Sequence, residues 1–177
     1  MLKSIKIDPG LAKALVKQKR QQAKEAFEKK PVVEKQTNLP TAVIIDVDGT
    51  LAIRGNRGIF EFEKCEDDLV CEEVKTIVEL VRTRPYINII ILSGREEAHK
   101  GRTEAWLQKN TIPYDGIIMR PTGDRRQDSI VKQELYERHL KGKFNILFVI
   151  DDRPRVVRMW RAEGLYVFDC NQTGKEF

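Results

Sequence analysis

The stretch TAVIIDVDGTL, residues 41–51, decides the fold of this chain. Its first half is an uninterrupted apolar run, which is the pattern of a strand buried on both faces. Two acids follow directly, Asp46 and Asp48, and carboxylates beside a buried strand are costly unless they serve a function. Gly49 and Thr50 then allow a tight turn that would bring backbone N–H groups towards an anion. The stretch therefore predicts a strand that ends in a functional site.

Similar apolar runs recur along the rest of the chain, separated by amphipathic segments. We expect strands at residues 42–47, 87–92, 116–119, 145–150 and 165–168. We expect helices near residues 69–82, 96–109, 128–140 and 154–163. Buried strands that alternate with helices predict a three-layer α/β fold with a central parallel sheet and right-handed crossovers.

The charge of the chain is divided unevenly. The 177 residues carry a net charge of +5, and 41% of them are hydrophobic, which suits one domain plus an appendage. Residues 1–40 hold ten Lys and Arg against four Asp and Glu, a net charge of +6, whereas residues 41–177 have a net charge of −1. We therefore predict two regions with different roles, a basic helical arm and linker over 1–40 and a folded domain over 41–177. Helix signals over 8–30 predict an N-terminal helix whose apolar stripe is too thin to fold alone.

Several classes of protein are excluded by composition. No run of about 18 apolar residues is present, so we expect no membrane span. Charged residues and Pro9 break up the N-terminus, which argues against a signal peptide. Three cysteines without Cys/His ligand spacing predict a reduced, cytoplasmic protein without structural zinc.

Polar and charged side chains cluster at the predicted carboxyl ends of the strands, where open parallel sheets bind ligands. Besides the acids of the first strand, they are Ser93 and Arg95 after the second strand, Lys132 on the helix after the third, and Asp151 and Asp152 after the fourth. Four carboxylates at one edge repel each other unless a cation neutralises them, and an all-oxygen ligand set favours Mg²⁺. Carboxylates, a metal and the flanking cations form a site for a phosphoryl group, in which one carboxylate can act as nucleophile.

Each of these features also has an ordinary structural explanation. A single Asp at a strand end is commonly a cap, Asp151 and Asp152 could cap the helix that follows them, and a lysine such as Lys132 commonly faces solvent. The combination of all of them, each at a strand end or helix start, favours a catalytic site.

The motifs resemble the haloacid dehalogenase (HAD) superfamily of phosphatases. IIDVDGTL (44–51), Ser93, Lys132 and the pair Asp151–Asp152 are similar to its four motifs in order. The similarity extends to the 3′-phosphatase domain of the bacteriophage polynucleotide kinase-phosphatases, and it covers about residues 42–170. It is carried by DVDGTLAIRGNRGIFEFEKCEDD (46–68), ILSGREE (91–97), DSIVKQE (128–134) and IDDRPRVVRMWRAEG (150–164). The resemblance implies the Rossmann-like HAD fold.

The resemblance also implies a mechanism. Asp46 would attack phosphorus to form an aspartyl-phosphate, and Asp48 would serve as general acid and then as general base. Ser93 and Lys132 would bind phosphate oxygens, and a charged Lys132 would keep Asp46 ionised. Mg²⁺ would be held by Asp46, the main-chain carbonyl of Asp48, and one or both of Asp151 and Asp152. Further functional positions, expected to help in binding substrate, are Thr50, Arg57, Arg95 and Asp128, the last by orienting Lys132.

The intervals between motifs are too short for the cap domain that encloses small substrates in many HAD enzymes. They leave only a flap, residues 51–62, and an open site suits a macromolecular end. We therefore predict a Mg²⁺-dependent polynucleotide 3′-phosphatase that restores 3′-hydroxyl ends in nucleic-acid repair. Seven arginines near the rim could hold backbone phosphates: Arg54, Arg57, Arg95, Arg120, Arg125, Arg126 and Arg153. Phe60 and Phe62 could stack on a base, but packing beneath the flap is the favoured expectation for both.

Other functions stay open at this point. One alternative is a nucleotidase or small-phosphomonoester phosphatase with the same site, and another is a phospho-aspartyl receiver module. The arm over 1–40 could bind nucleic acid, dock on a separately encoded kinase or ligase or on a second copy, or act as a tether. Because only forty residues precede Thr41 and no GxxxxGK[ST] loop occurs, we expect no kinase activity in this chain. The choice between DNA and RNA, the strandedness of the end and the oligomeric state stay undetermined.

Overall fold

The computed structural model describes residues 35–172 together with Lys13, Lys17 and Gln18. These three residues are helical, and the rest of the predicted helix over 8–30 lies outside the described residues. The chain divides into two compact units, Met1–Val32 and Val33–Phe177. The remaining description concerns the second unit.

A five-stranded parallel sheet forms the centre of this unit, and a two-stranded antiparallel sheet lies beside it. In chain order the strands are β1 (Thr41–Ile45), β2 (Ala52–Ile53), β3 (Leu69–Val70), β4 (Ile87–Glu96), β5 (Gly116–Arg120), β6 (Asn145–Asp151) and β7 (Val167–Asp169). The order in the large sheet is β5-β4-β1-β6-β7, whereas β2 pairs with β3. Because β1 is central and pairs with both β4 and β6, the polar ends of these three strands become neighbours.

Four helices connect the strands of the large sheet. They are α1 (Glu72–Arg82), α2 (Lys100–Lys109), α3 (Asp128–His139) and α4 (Pro154–Ala162), with short 3₁₀ helices at Phe62–Asp67 and Glu97–His99. Three predicted boundaries are wrong by several residues, and one of them is the start of the helix predicted from residue 96, which begins at Lys100. The helix predicted from residue 69 begins at Glu72 because Leu69 and Val70 form β3. The strand predicted to end at residue 92 continues to Glu96, since it pairs with β5 through a bulge after Ser93.

Alternate residues of β1 pack into two separate hydrophobic layers. Val43 and Ile45 join the core that contains Trp106 of α2, together with side chains of α1. Ala42 and Ile44 face the opposite layer, which contains side chains of α3 and α4. The sheet is therefore covered on both faces, and the predicted three-layer α/β fold is confirmed. In the described part of the chain, no helix has the length and apolar character required to cross a membrane.

Candidate active site

Three carboxylates meet where β1 and β6 end side by side. Asp46 follows β1, Asp151 is the last residue of β6, and Asp152 comes next. Each offers one carboxylate oxygen, and these oxygens lie within 4.8 Å of one another. All three residues are buried. The sequence placed these acids at one sheet edge, and the structure brings them together there.

Lys132 supplies the positive charge inside this cluster. Its Nζ donates hydrogen bonds to Asp46 Oδ1 at 2.6 Å and to Asp151 Oδ2 at 2.9 Å, and it lies 3.7 Å from Asp128 Oδ2. The residue is 1% exposed, so the expectation of a solvent-facing lysine does not apply. Burial alone would lower the pKa of Lys132, but the charges of Asp151, Asp46 and Asp128 raise it well above its ordinary value. Lys132 is therefore a charged group at neutral pH.

Asp46 and Asp152 have raised pKa values in the chain without a bound metal. Burial raises the pKa of Asp46 well above its ordinary value, and Lys132 opposes this only in part while Asp151 and Asp152 add to it. Burial and the charge of Asp151 likewise raise the pKa of Asp152 to about 6. Lys132 therefore offsets only part of the effect of burial on the pKa of Asp46, and its role in keeping Asp46 ionised stays a prediction. One ammonium does not balance three carboxylates, so the cluster requires a further cation to become fully ionised.

The three carboxylates fit a small divalent cation. Opposite ligands of an octahedral Mg²⁺ lie about 4.2 Å apart, twice the Mg–O distance. The three carboxylate oxygens lie within 4.8 Å of one another, an upper bound close to this separation. The donor atoms are all oxygens, which hard cations prefer. The carboxylate of Asp48 is not one of the three, so any role of Asp48 as a ligand falls to its main-chain carbonyl.

The turn after Asp48 fits closely around Asp152. Gly49 has φ +86°, and a Cβ at this position would collide with the Asp152 carboxylate, so glycine is required on both counts. Thr50 is fully buried, and its hydroxyl donates to Asp152 Oδ1 at 3.2 Å. The N–H of Gly49 donates to Ala52 O and that of Thr50 to Val47 O. These two N–H groups are therefore used within the turn, which shapes the carboxylate site, and the approach of backbone N–H groups to an anion stays a prediction.

Asp48 points away from the three carboxylates and is held by two arginines. Arg57 Nη2 donates to Asp48 Oδ1 at 2.7 Å, and Arg95 donates through Nε and Nη2 to both oxygens at 2.8 Å. Burial would raise the pKa of Asp48, but the hydrogen bonds and charges of Arg95 and Arg57 lower it below its ordinary value. The carboxylate is thus ionised and oriented, with a side chain that remains 30% exposed.

Sequence reasoning did not identify Asp68, whose carboxylate binds both arginines. Its carboxylate accepts hydrogen bonds from Arg57 at 2.7–3.1 Å and from Arg95 at 2.9 Å. The Asp68 side chain is 1% exposed and that of Arg95 is fully buried. The two arginines and the two acids therefore form a balanced buried cluster. Only the position of Asp68 within a run of acids before β3 marks it in the sequence, and that signal is not specific.

Ser93 and Asp128 complete the floor of the site. Ser93 is fully buried in β4, and its Oγ accepts a hydrogen bond from the N–H of Arg95 at 3.2 Å. Asp128 accepts hydrogen bonds from Arg120 at 2.8 Å and Arg153 at 3.1 Å, besides facing Lys132. Burial would raise the pKa of Asp128, but these three cations lower it. The spacing of four residues along α3 places Asp128 3.7 Å from Lys132 Nζ, and the orienting role of Asp128 stays a prediction.

The rim differs from the sequence expectation at several positions. The seven arginines proposed to contact backbone phosphates differ in exposure. Arg57, Arg95 and Arg120 are buried in ion pairs, Arg153 is partly exposed and paired with Asp128, and Arg54, Arg125 and Arg126 are exposed. Phe62 lies over the arginine pair, with its ring centroid 5.2 and 5.7 Å from the two guanidinium carbons. Phe60 is 84% exposed, so the prediction that it packs beneath the flap is wrong. The two tryptophans expected in the core, Trp106 and Trp160, are fully buried.

The family of the chain follows from its sequence match. Residues 40–174 match the HAD family described as the polynucleotide kinase PNKP phosphatase domain. The chain belongs to this family of phosphatase domains. Membership confirms the HAD resemblance and the expectation of a phosphatase, and it sets the receiver-module interpretation aside.

Known relatives of this phosphatase domain are larger proteins. A protein of Autographa californica nuclear polyhedrosis virus, named for bifunctional polynucleotide kinase and RNA ligase activities, is 34% identical over 125 residues, which are 69% of this chain and 18% of the relative. A solved Pnkp1/Rnl/Hen1 complex contains a chain that is 37% identical, with a TM-score of 0.75 over 80% of this chain and 50% of that chain. A Pnkp1/Rnl/Hen1 RNA repair complex gives 34% identity and a TM-score of 0.76 over 93% and 56% of the two chains.

A fourth protein matches at the level of the fold. The HAD domain of the effector Lem4 from Legionella pneumophila is 15% identical, with a TM-score of 0.51 over 75% of this chain and 86% of that chain. This chain covers 50% and 56% of the matching chains from the two complexes and 18% of the viral relative.

Proposed function

We propose that this phosphatase domain is a Mg²⁺-dependent polynucleotide 3′-phosphatase that acts through an aspartyl-phosphate on Asp46. The observation that carries the proposal is the Asp46 carboxylate, bound by the buried Lys132 and placed beside Asp151 and Asp152, in a chain of the polynucleotide kinase-phosphatase family. Asp46, Asp151 and Asp152, with the carbonyl of Asp48, would hold Mg²⁺. When bound, the ion would neutralise charge and keep Asp46 ionised.

In the first step the Asp46 carboxylate attacks phosphorus and the bond from phosphorus to the 3′ oxygen breaks. Asp48 delivers a proton to the departing oxygen, so that a 3′-hydroxyl leaves. Arg57 and Arg95 keep Asp48 ionised before substrate binds. The negative charge of a phosphate ester nearby raises the pKa of Asp48, and this shift favours the protonated form needed for the step.

In the second step water attacks the aspartyl-phosphate, the bond from phosphorus to Asp46 breaks, and inorganic phosphate is released. Asp48, now ionised, accepts the proton of the water, which suits the low pKa imposed by its two arginines. Lys132 and Ser93 bind the phosphoryl oxygens in both steps and stabilise their developing charge. Arg57 and Arg95 contribute by orienting Asp48, and their burial leaves little of either side chain for direct contact with a polynucleotide.

The open shape of the site favours a polynucleotide end over a small metabolite. Within residues 35–172, the segment between β1 and β4 holds only the flap, a 3₁₀ helix, β3 and α1, and no cap domain is present. A nucleotidase or a small-phosphomonoester phosphatase remains the alternative, and it predicts faster hydrolysis of free nucleotides than of 3′-phosphorylated oligonucleotides.

The known relatives support a role beside other repair activities. Two of the similar solved chains belong to assemblies with Rnl and Hen1, one of which is an RNA repair complex. We infer that this phosphatase domain restores 3′-hydroxyl ends alongside a separately encoded kinase or ligase. Residues 1–40, with a net charge of +6, would bind such a partner, a second copy, or the nucleic acid itself. The cytoplasmic location stays a prediction of the sequence.

A panel of end-labelled oligonucleotides tests this function. The panel carries a 3′-phosphate, a 5′-phosphate or a 2′,3′-cyclic phosphate on DNA or RNA as the chemistry allows, and each is incubated with Mg²⁺ or with EDTA. We expect Mg²⁺-dependent release of the 3′-phosphate, abolished in the matched variant Asp46→Asn. Near-normal turnover by that variant would refute Asp46 as nucleophile, and faster hydrolysis of free 3′-nucleotides than of the oligonucleotide would favour the alternative.

A further inference from the structure

A rigid turn at the end of the flap presents two large apolar side chains to solvent. Ile59 is 58% exposed and Phe60 is 84% exposed, and Phe60 is the most exposed large hydrophobic side chain among the described residues. Single exposed apolar residues are common, but here two adjacent ones occupy a turn at the mouth of the site. The cost of this exposure is removed if a ligand covers them.

Several hydrogen bonds hold the turn in one conformation. The N–H of Glu61 donates to Gly58 O at 3.2 Å, and the N–H of Gly58 donates to Glu61 Oε2 at 3.0 Å. Arg57 Nη1 donates to the carbonyls of Gly58 and Ile59 at 3.2 and 3.3 Å. The apolar pair is therefore presented on a braced turn and not on an unconstrained loop.

The same arginine ties the turn to the reacting groups. Arg57 Nη2 donates to Asp48 at 2.7 Å, so one guanidinium lies between the carbonyl of Ile59 and the Asp48 carboxylate. A 3′-phosphate placed at Asp46 and Asp48 would bring the nucleoside that bears it to the flap. The flat face of Phe60 is suited to stacking on a base, and every base offers such a face irrespective of sequence.

We infer that Phe60, supported by Ile59, is the stacking platform for the terminal base of the polynucleotide, which makes the flap the element that selects a base-bearing end. This inference rests on the proposed phosphatase function and adds to it the recognition of the nucleoside. Stacking of this kind accelerates reaction of a base-bearing end relative to an abasic one by about 5- to 100-fold.

The experiment compares two oligonucleotides that differ only in the last base. Both end in a 3′-phosphate, but one carries a normal terminal nucleoside and the other an abasic sugar analogue. The measured quantity is the ratio of their kcat/KM values for the wild-type chain, for Phe60→Ala, for Phe60→Trp and for Tyr86→Ala. Tyr86 is 67% exposed and precedes β4 at the opposite edge of the sheet, so its variant controls for loss of an exposed aromatic ring.

We expect the wild-type chain to prefer the base-bearing end by about 5-fold or more, and Phe60→Ala to abolish that preference. Phe60→Trp and Tyr86→Ala should keep it. A preference that persists in Phe60→Ala, or a wild-type chain that hydrolyses both substrates equally, overturns the stacking role and leaves the phosphatase proposal intact. A wild-type chain that releases phosphate from neither oligonucleotide refutes the phosphatase proposal itself.

Discussion

Replacing Lys132 by methionine tests the electrostatic reasoning at the centre of the site. Methionine fills a similar volume and cannot hold charge, so the variant removes an ammonium that lies 2.6 Å from Asp46 and 2.9 Å from Asp151. The side chains of all three residues are at most 6% exposed, so water cannot replace the lost charge. Removing one partner of such a buried pair costs about 3–5 kcal/mol.

We predict that the loss of stability in Lys132→Met depends on bound metal and on pH. In EDTA at pH 8 we expect the melting temperature of Lys132→Met to fall by about 6–20 °C, since each kcal/mol shifts a domain of this size by about 2–4 °C. The loss should shrink towards pH 5, because a carboxyl whose pKa burial has raised takes up a proton in place of the missing cation. Saturating Mg²⁺ should restore part of the stability, by about 2.7 kcal/mol at a concentration 100 times Kd.

Thermal and urea denaturation, with EDTA and with Mg²⁺, measure these effects. Lys141→Met is the matched control, because the Lys141 side chain is 52% exposed and its pairs with Glu137 and Glu163 are surface ion pairs worth about 1 kcal/mol or less. We also expect Lys132→Met to lower kcat by about 100- to 1000-fold. A variant as stable as wild type in EDTA at pH 8 would refute the electrostatic argument, and one with normal kcat would refute the catalytic role.

Three further predictions address the acids and the arm. In EDTA, the free energy of unfolding should decrease as pH rises from about 4 to about 6, because folding raises the pKa of Asp152 from 3.8 to about 6, so the folded chain binds that proton more tightly than the unfolded chain. Asp152 accounts for about 3 kcal/mol of this decrease, and urea denaturation of Asp152→Asn should lack it; identical pH profiles would contradict the assignment. Asp48→Asn should slow release of the 3′-phosphate by about 100- to 10,000-fold. It should slow hydrolysis of an aryl phosphate much less, because an aryl leaving group needs no proton. The Mg²⁺ affinity of the variant, measured by calorimetry, should stay within a few-fold of the wild-type value. Equal losses on both substrates would argue against Asp48 as the acid. Deleting residues 1–38 should reduce the salt dependence of oligonucleotide binding if the arm contacts phosphates, and an unchanged slope would instead favour docking on a protein partner.

The sequence predicted the sheet well because each of its buried strands is a local feature. Parallel strands buried on both faces require runs of Val and Ile, and such runs stand out from the charged segments around them. The small antiparallel sheet was missed because each of its strands, Ala52–Ile53 and Leu69–Val70, is too short to show the alternation of apolar and polar residues that marks a strand. Its pairing also joins segments that are distant in the sequence. The extension of β4 to Glu96 was missed for a related reason, since it depends on pairing with Arg120 across a bulge.

The same distinction decides which site residues could be predicted: some are located by local sequence patterns, and others only by contacts between distant segments. Asp46, Lys132 and the pair Asp151–Asp152 were found because a strand end or a helix start locates each of them separately. Asp68 was not found, because its role depends on Arg57 and Arg95, which lie 11 and 27 residues away. The exposure of Phe60 was likewise invisible, since an aromatic residue in a short loop is equally compatible with packing inward or projecting outward.

The balance of charge supports the different roles proposed for the two acids of the first motif. Asp48 belongs to a cluster in which Asp48 and Asp68 meet Arg57 and Arg95, so its two negative and two positive charges cancel. The cluster around Asp46 contains three carboxylates, those of Asp46 and the Asp151–Asp152 pair, against the single ammonium of Lys132. When fully ionised it lacks two positive charges, which is the charge of one Mg²⁺ ion. In the proposed mechanism a divalent ion would therefore stabilise the ionised state of the nucleophile Asp46, whereas Asp48 would need no such ion and its carboxylate could exchange a proton.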